Sequence, residues 1–311
     1  MNIQNDKLLS IIIPSYNEEA MIEKTFDTVK EIMNEAQIPF EIIFVDDGSR
    51  DATYRNISLL SEKHPEVKGL SFSRKVGKES AIFAGLEAAQ GGCCVIMDCD
   101  LQHPPAVIVE MYRLWEKGFE VVEGVKASRG RENPLHTLCA GCFYGLISRA
   151  TGLNMANASD FKLLDRRAVE ALLLMPERTP FFRALSSWIG FTSTTVSFEV
   201  QERTAGTSKW SIWSLVKYAI RKITSFSGAP MQFVTFMGWI MLIFSFAFAV
   251  QSLYRYFTGT AQEGFTTVIL LLLIIGSVLM ISLGIIGHYI SRIYDEIKGR
   301  PRYIIQKRCG Y

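Results

Sequence analysis

The chain has 311 residues, 49% hydrophobic and 21% charged, which excludes an intrinsically disordered or collagen-like protein and suits one large domain with or without an appendage. Lys plus Arg (33) against Asp plus Glu (31) leaves a formal charge of +2, too even for an affinity built on many phosphate contacts along a nucleic acid. The last third holds two long uncharged tracts, so the chain does not read as a uniformly soluble globule.

In chain order, strand-like and helix-like segments alternate. Leu8–Pro14 (LLSIIIP) reads as a buried strand, and Glu18–Glu35 has helical spacing. Phe40–Val45 is a second strand, with a helical segment over Asp51–Lys63. Val67–Phe72 and Cys93–Met97 are the third and fourth strands, followed by helices over Lys78–Ala89 and Pro105–Lys117. Short apolar strands separated by helices of this size predict an α/β fold, a mostly parallel sheet with helices on both faces. Ligands of such sheets bind beyond the carboxyl ends of the strands.

Those ends are where the polar motifs fall. They are Pro14-Ser15-Tyr16-Asn17-Glu18-Glu19, Asp46-Asp47-Gly48-Ser49 with Asp51 and Thr53, Ser73-Arg74-Lys75-Val76-Gly77-Lys78, and Asp98-Cys99-Asp100-Leu101-Gln102-His103-Pro104-Pro105. Neither GxGxxG nor the P-loop pattern is present, so dinucleotide and P-loop chemistry have no foothold. Asp98 and Asp100 flank one residue; if the chain turns there, both carboxylates reach one hard cation, with Gln102 adding a neutral oxygen. Mg²⁺ and Mn²⁺ favour that oxygen set. The alternative is a solvated turn, or an aspartate capping the helix that starts at Pro104–Pro105. Cysteines 93, 94, 99, 139, 142 and 309 form no disulfide framework, and the Cys139–Cys142 pair is a lone CxxC, so reduced thiols are expected.

No Asp, Glu, Lys or Arg occurs from Ile223 to Tyr254 or from Gly264 to Ser291. About 20 apolar helical residues cross a bilayer core of about 30 Å, so spans are predicted over 233–253 and 267–290. Lys217, Arg221 and Lys222 precede the first; Arg292, Lys298, Arg300, Arg302, Lys307 and Arg308 follow the second. The connection Tyr254–Phe265 holds only Arg255 and Glu263, so the positive-inside rule puts both termini in the cytoplasm. Leu8–Pro14 lacks a cleavage-type site and does not read as a signal peptide. Trp210–Phe226 mixes Trp210, Trp213, Tyr218 and Phe226 with Lys217, Arg221 and Lys222, which suits the lipid headgroup layer or an amphipathic helix packed on the soluble domain.

Taken together, PSYNEE, DDGSRDAT, RKVGKESA, DCDLQHPP, SDFKLLDR and RTAGTSKW, followed by two apolar spans, resemble the family 2 glycosyltransferases of the GT-A fold, in their polyprenyl-phosphate branch. The resemblance implies a GT-A domain over 1–209, a juxtamembrane amphipathic segment over 210–228, a transmembrane hairpin over 229–291 and a basic cytoplasmic tail over 292–311. It also implies that Pro14, Tyr16, Glu18, Asp46 and Asp47 line a nucleoside pocket, with Lys78, Asp98 and Ser208 also on the nucleotide sugar. Asp98, Asp100 and Gln102 would hold Mg²⁺ or Mn²⁺ on the donor diphosphate. Asp160 would face sugar or acceptor, as a base or only an orienting group, and Arg203, Ser208 and Lys209 would close over the donor phosphates. Asp100, Asp160, Arg203 and Lys209 form the implied catalytic set, and Lys126 and Arg129 would meet the lipid phosphate. Lys126 stands where arginine is more common in the family, which would lose bidentate binding. His103 stands where many relatives are acidic and receives no role.

The implied reaction is a single in-line, inverting transfer of a hexose from a nucleotide sugar, UDP-glucose by resemblance, to polyprenyl (undecaprenyl) phosphate at the cytoplasmic face of the cell membrane. The implied assembly is a homo-oligomer, with a tetramer among the options. A processive polysaccharide synthase would carry a QxxRW signature, which Gln201-Glu202-Arg203-Thr204 lacks, and more spans. A non-catalytic membrane scaffold would not need four polar strand ends.

Overall fold

The computed structural model describes residues 7–126, 159–175, 177, 180–199, 229–258 and 264–311. The alternation read from the sequence is realised as strands β1 (Leu9–Ser15), β2 (Phe40–Asp46), β3 (Val67–Phe72) and β4 (Cys93–Ile96). Between and after them come helices α1 (Ile22–Glu35), α2 (Thr53–Lys63), α3 (Lys78–Ala88) and α4 (Ala106–Glu116). Then follow β5 (Val121–Lys126), β6 (Lys162–Asp165), α5 (Arg166–Leu173), α6 (Phe182–Trp188), β7 (Ser193–Phe198), α7 (Ala229–Phe257), α8 (Phe265–Ile297) and β8 (Ile305–Cys309).

One eight-stranded sheet runs in the order β7-β5-β6-β4-β1-β2-β3-β8. Its centre is parallel, as expected: β1 pairs with both β2 and β4, and β2 with β3. Most strands share that direction, with β7 parallel to β5, and two strands depart from it: β6 runs antiparallel to β4 and β5, and β8 antiparallel to β3. The sheet is mixed. The tail expected over 292–311 contributes β8, a strand on an otherwise open edge.

Alternation along β1 sorts the helices onto two faces. Leu9, Ile11 and Ile13 join a core with Ile22, Phe26 and Val29 of α1, Ile57 of α2, and Ile108 and Met111 of α4. The intervening Ile12 abuts Gly85 of α3 on the opposite face. Helix α1 starts at Ile22 rather than Glu18, because the preceding residues are engaged elsewhere: the Glu18 amide donates to Thr53 Oγ1 (2.9 Å) and the Glu19 amide to Asp51 Oδ2 (3.3 Å).

Flush register makes a common rim. Ser15 pairs with Asp46, Asp46 with Ser71, and the Met97 amide reaches Ile12 O at 3.1 Å, so the segments after β1 to β4 leave from one edge.

The described residues divide into two compact units: the sheet with its helices and Arg300–Tyr311, and a helical unit containing α7 and α8. In the second unit α7 and α8 pack on each other. Within α8, Ile274–Ile297 is long and apolar enough to cross a membrane, with a mean hydropathy of 1.8 and none of its most apolar stretch buried. The apolar stretch in α7, Val234–Phe248, is shorter, so among the described residues one helix meets that criterion where the sequence predicts two. The juxtamembrane segment over 210–228 lies outside the described residues.

Candidate active site

The rim is built from side chains that fasten one loop to the next. Asn17 takes a left-handed backbone (φ 54°), its amide donates to Ser49 Oγ (2.9 Å), and its side-chain oxygen accepts from the Arg50 amide (3.1 Å). Asp46, almost fully buried, accepts from the Ser49 amide (2.9 Å) and from Ser71 Oγ (2.7 Å). The Asp47 carboxylate receives the amides of Val76 (2.7 Å) and Gly77 (2.9 Å), fixing the segment ahead of α3. Gly48 is required twice over: its φ is +68°, and a Cβ there would lie 2.6 Å from the carbonyl carbon of Arg74. Tyr16 carries the Lys75 ammonium over its ring, 3.4 Å from the centroid. Asp46 and Asp47 thus hold the rim in shape.

At the centre lies a cluster of alternating charge. Lys78, the first residue of α3, brings Nζ to 2.6 Å from Asp98 Oδ1 and 3.0 Å from Asp160 Oδ2. Arg183 of α6 grips Asp160 with two donors, Nε to Oδ1 at 2.6 Å and Nη2 to Oδ2 at 2.9 Å. Behind it, fully buried Lys162 pairs with Glu123 (3.1 Å) and donates to Ser186 Oγ (2.9 Å), while Glu123 also accepts from the Ser159 amide (2.9 Å). Burial by itself would raise the pKa of Asp160, but Lys78 and then Arg183 outweigh it and hold the carboxyl far below its usual range. Asp98 is likewise lowered against burial, chiefly by Lys78. For Lys78, burial disfavours the ammonium, and Asp98 and Asp160 overcome it, raising the group above the ordinary lysine range.

The Asp98–Asp100 turn has an unusual backbone. Leu101 adopts φ +57°, a left-handed conformation that costs a branched residue of order 1–3 kcal/mol, and it stays there because its side chain is buried in the core. The Gln102 amide donates to Asp100 Oδ1 (3.1 Å). His103 is buried and stacked on Phe161 (centroids 4.7 Å apart), with Phe198 edge-on to both rings. Its Nδ1 is enclosed without a hydrogen-bond partner among the described residues, and burial pushes its pKa down.

Pro14, Tyr16, Glu18, Asp46, Asp47, Lys78, Asp98, Asp100 and Gln102 therefore all belong to one rim, and Asp160 is joined to it through Lys78. Lys126 ends β5 and is exposed. Arg129, Arg203, Ser208, Lys209 and the Cys139–Cys142 pair lie outside the described residues. Cys93, Cys94 and Cys99 are buried free thiols, the latter two pushed up to about 12 mainly by burial, which suits inert core residues. Sequence reasoning missed Arg183, Glu123 and Leu101, and passed over His103. Arg183 sits in an apolar stretch (PFFRALSSW) that carries no motif, and only the fold brings it to Asp160.

The donor set can be weighed against a divalent cation. Among the described residues no three His, Cys, Asp or Glu side chains are grouped to hold one, and the rim's described oxygen donors for it are Asp98 and Asp100 with the Gln102 oxygen. Two carboxylates fit an ion that keeps waters and completes its shell with substrate phosphates, and do not fit an all-protein cage.

A sheet of this order, with acidic and basic side chains gathered on its carboxyl rim, has the layout of a nucleotide-dependent transferase domain. The chain belongs to glycosyl transferase family 2: the family's sequence model matches residues 10–173. Near full-length relatives agree. An uncharacterized glycosyltransferase of Bacillus subtilis (strain 168), YkcC, is 38% identical over 306 residues, covering 97% of this chain and 94% of that one. The bactoprenol glucosyl transferase of Shigella phage SfII and the prophage bactoprenol glucosyl transferase homolog of Escherichia coli (strain K12) are each 36% identical over 301 residues, covering 96% of this chain and 97% and 98% of theirs. The resemblance to the polyprenyl-phosphate branch is thereby borne out. For the fold, the crystal structure of glucosyl-3-phosphoglycerate synthase from Mycobacterium tuberculosis, in complex with Mn²⁺, uridine diphosphate and phosphoglyceric acid, superposes with a TM-score of 0.50 at 20% identity, covering 71% of this chain and 79% of that one.

Proposed function

We propose that the chain transfers a hexose, with inversion, from a nucleotide sugar to a polyprenyl phosphate at the cytoplasmic face of the cell membrane, UDP-glucose and undecaprenyl phosphate being the favoured pair. The observation that carries the proposal is the charged rim, Lys78, Asp98, Asp160 and Arg183, in a chain 36% identical over 96% of its length to bactoprenol glucosyl transferases. The Mn²⁺ and uridine diphosphate of the structural neighbour are compatible with a divalent ion and a uridine donor here.

Asp98 and Asp100, with Gln102, would hold Mg²⁺ or Mn²⁺, which when bound supplies positive charge beside the departing diphosphate. Pro14, Tyr16 and Glu18 would line the nucleoside pocket, with Asp46 and Asp47 fixing its walls. Lys78 would neutralise phosphate, with Arg203, Ser208 and Lys209 closing over it. A polyprenyl phosphate is already anionic, so the acceptor needs positioning rather than deprotonation. Asp160 suits that requirement. Held ionised by Lys78 and Arg183 and engaged on both oxygens, it is a very weak base and acts by orienting the groups around it. Lys126 and Arg129 would receive the lipid phosphate.

The membrane assignment is supported by α8 and by the large apolar side chains that both helices expose, among them Trp239, Phe246, Leu272 and Met280. A two-span hairpin with cytoplasmic termini brings the rim to its acceptor, because drawing a polyprenyl tail out of the bilayer costs about 0.8 kcal/mol per CH₂. A homo-oligomer completes the proposal. Incubating membranes that contain the protein with labelled UDP-glucose and undecaprenyl phosphate, followed by solvent extraction, tests it: lipid-soluble label supports the reading, insoluble polymer indicates a processive synthase, and no product with any nucleotide sugar overturns it.

A further inference from the structure

We infer that Lys78 is a placeholder cation: it occupies the metal-facing carboxylate of Asp98 in the nucleotide-free enzyme and yields it only when a divalent ion arrives with a nucleoside diphosphate. The inference rests on reading Asp98 as a metal ligand. Lys78 Nζ lies 2.6 Å from Asp98 Oδ1, the contact distance of a strong ion pair, so an ion must compete with the ammonium for that oxygen.

The surroundings give Lys78 a place to go. Its second contact, Asp160 Oδ2 at 3.0 Å, remains when the first is released, and Asp160 is pinned independently by Arg183. Exposure separates the two halves of the cluster: the Lys78 and Asp98 side chains are 40% and 32% exposed, Asp160 only 11%. The backbone before Lys78 cannot follow, since Asp47 holds the amides of Val76 and Gly77 (2.7 and 2.9 Å). Movement is thereby confined to the flexible lysine stem.

Charge balance then couples metal to nucleotide. Among the described rim groups, three aspartates (98, 100 and 160) stand with two cations (Lys78 and Arg183), a formal charge of −1. A divalent ion alone turns this to +1 and crowds two cations on Asp98. The two negative charges of a nucleotide sugar restore −1 and offer Lys78 new anionic partners. Metal and nucleotide therefore bind with positive coupling, and Lys78 is the residue through which they are coupled.

Mn²⁺ binding to the full-length, detergent-solubilised protein, read by electron paramagnetic resonance with and without UDP, tests this independently of turnover. Wild type is expected to bind Mn²⁺ weakly alone and at least about tenfold more tightly with UDP. Lys78→Met is expected to bind Mn²⁺ about tenfold more tightly than wild type without UDP, and Lys78→Arg, which keeps the charge, to match wild type. An unchanged nucleotide-free affinity in Lys78→Met overturns the inference. Asp98→Asn separates the two layers. Loss of Mn²⁺ binding with UDP in Asp98→Asn, alongside an unchanged Lys78→Met, leaves the metal site standing and removes the placeholder; intact binding in Asp98→Asn removes both. Thermal unfolding midpoints establish that each variant is folded, and Lys78→Gln replaces Lys78→Met if the latter is not.

Discussion

Asp160 and Arg183 illustrate how a side chain's role is set by what the fold places against it. The Asp160 carboxylate reads from the sequence equally as a base or as an orienting group, and the bidentate arginine with the lysine supports the second, proposed role. Arg183→Ala should lower transfer about tenfold to a hundredfold, with the loss largely in kcat, by leaving Asp160 held by Lys78 alone; steady-state kinetics with labelled donor check this. The same ion pairs give the protein an acid limit. A carboxyl depressed in the folded state adds stability that is complete above the unfolded value of about 3.9 and is lost as pH falls below it. Asp160→Asn should thus unfold at a lower temperature than wild type at pH 7, with the gap narrowing below about pH 4, as melting curves across pH will show. Asp98, Asp100 and Lys78 were legible as polar residues at strand ends, and Asp160 only through the SDFKLLDR resemblance. Arg183 and His103 were not, because one amphipathic arginine or one histidine has no visible partner until the sheet is assembled. The enclosed Nδ1 of His103 lacks a hydrogen bond among the described residues, and a buried unsatisfied group costs about 1–3 kcal/mol. His103→Phe should raise the melting temperature while keeping the stack on Phe161, a result calorimetry can check.

At the scale of elements, the parallel centre was written plainly in the sequence, since four apolar runs with intervening helical periods leave few arrangements. The antiparallel flanks were hidden: β6 has only four residues, Lys162–Asp165, with a buried lysine, and β8 is Ile305–Cys309, whose charged composition reads as a basic tail. Tertiary contacts make β8 a strand. Tyr303 stacks on Phe72 (4.9 Å) and bonds to Glu87, Arg302 lies over the Phe83 ring (4.8 Å), and Lys307 over Tyr54 (5.4 Å). Deleting residues 304–311 should therefore uncover the edge of β3, lower the melting temperature and promote association through that edge, read by light scattering. Turns carry a second set of constraints. Gly48→Ala combines an unfavourable φ with contact against the Arg74 backbone, and should destabilise the protein by about 2–4 kcal/mol in denaturant titration.

For the whole molecule, the sequence separated a charged catalytic region from an apolar end, and the two compact units respect that division. The proposed hairpin predicts that a cysteine placed at Thr258, just past α7, is modified by an impermeant thiol reagent added outside intact cells. Asp98→Ala should abolish transfer yet fractionate with membranes as wild type does, assayed in the same preparation. The chain order of the sheet carries one more consequence. Seven of the described strands leave the ribosome before α7 and α8, whereas β8 follows both helices. During biogenesis the nascent chain consequently waits with β3 unsheltered on that side until both helices have been synthesised.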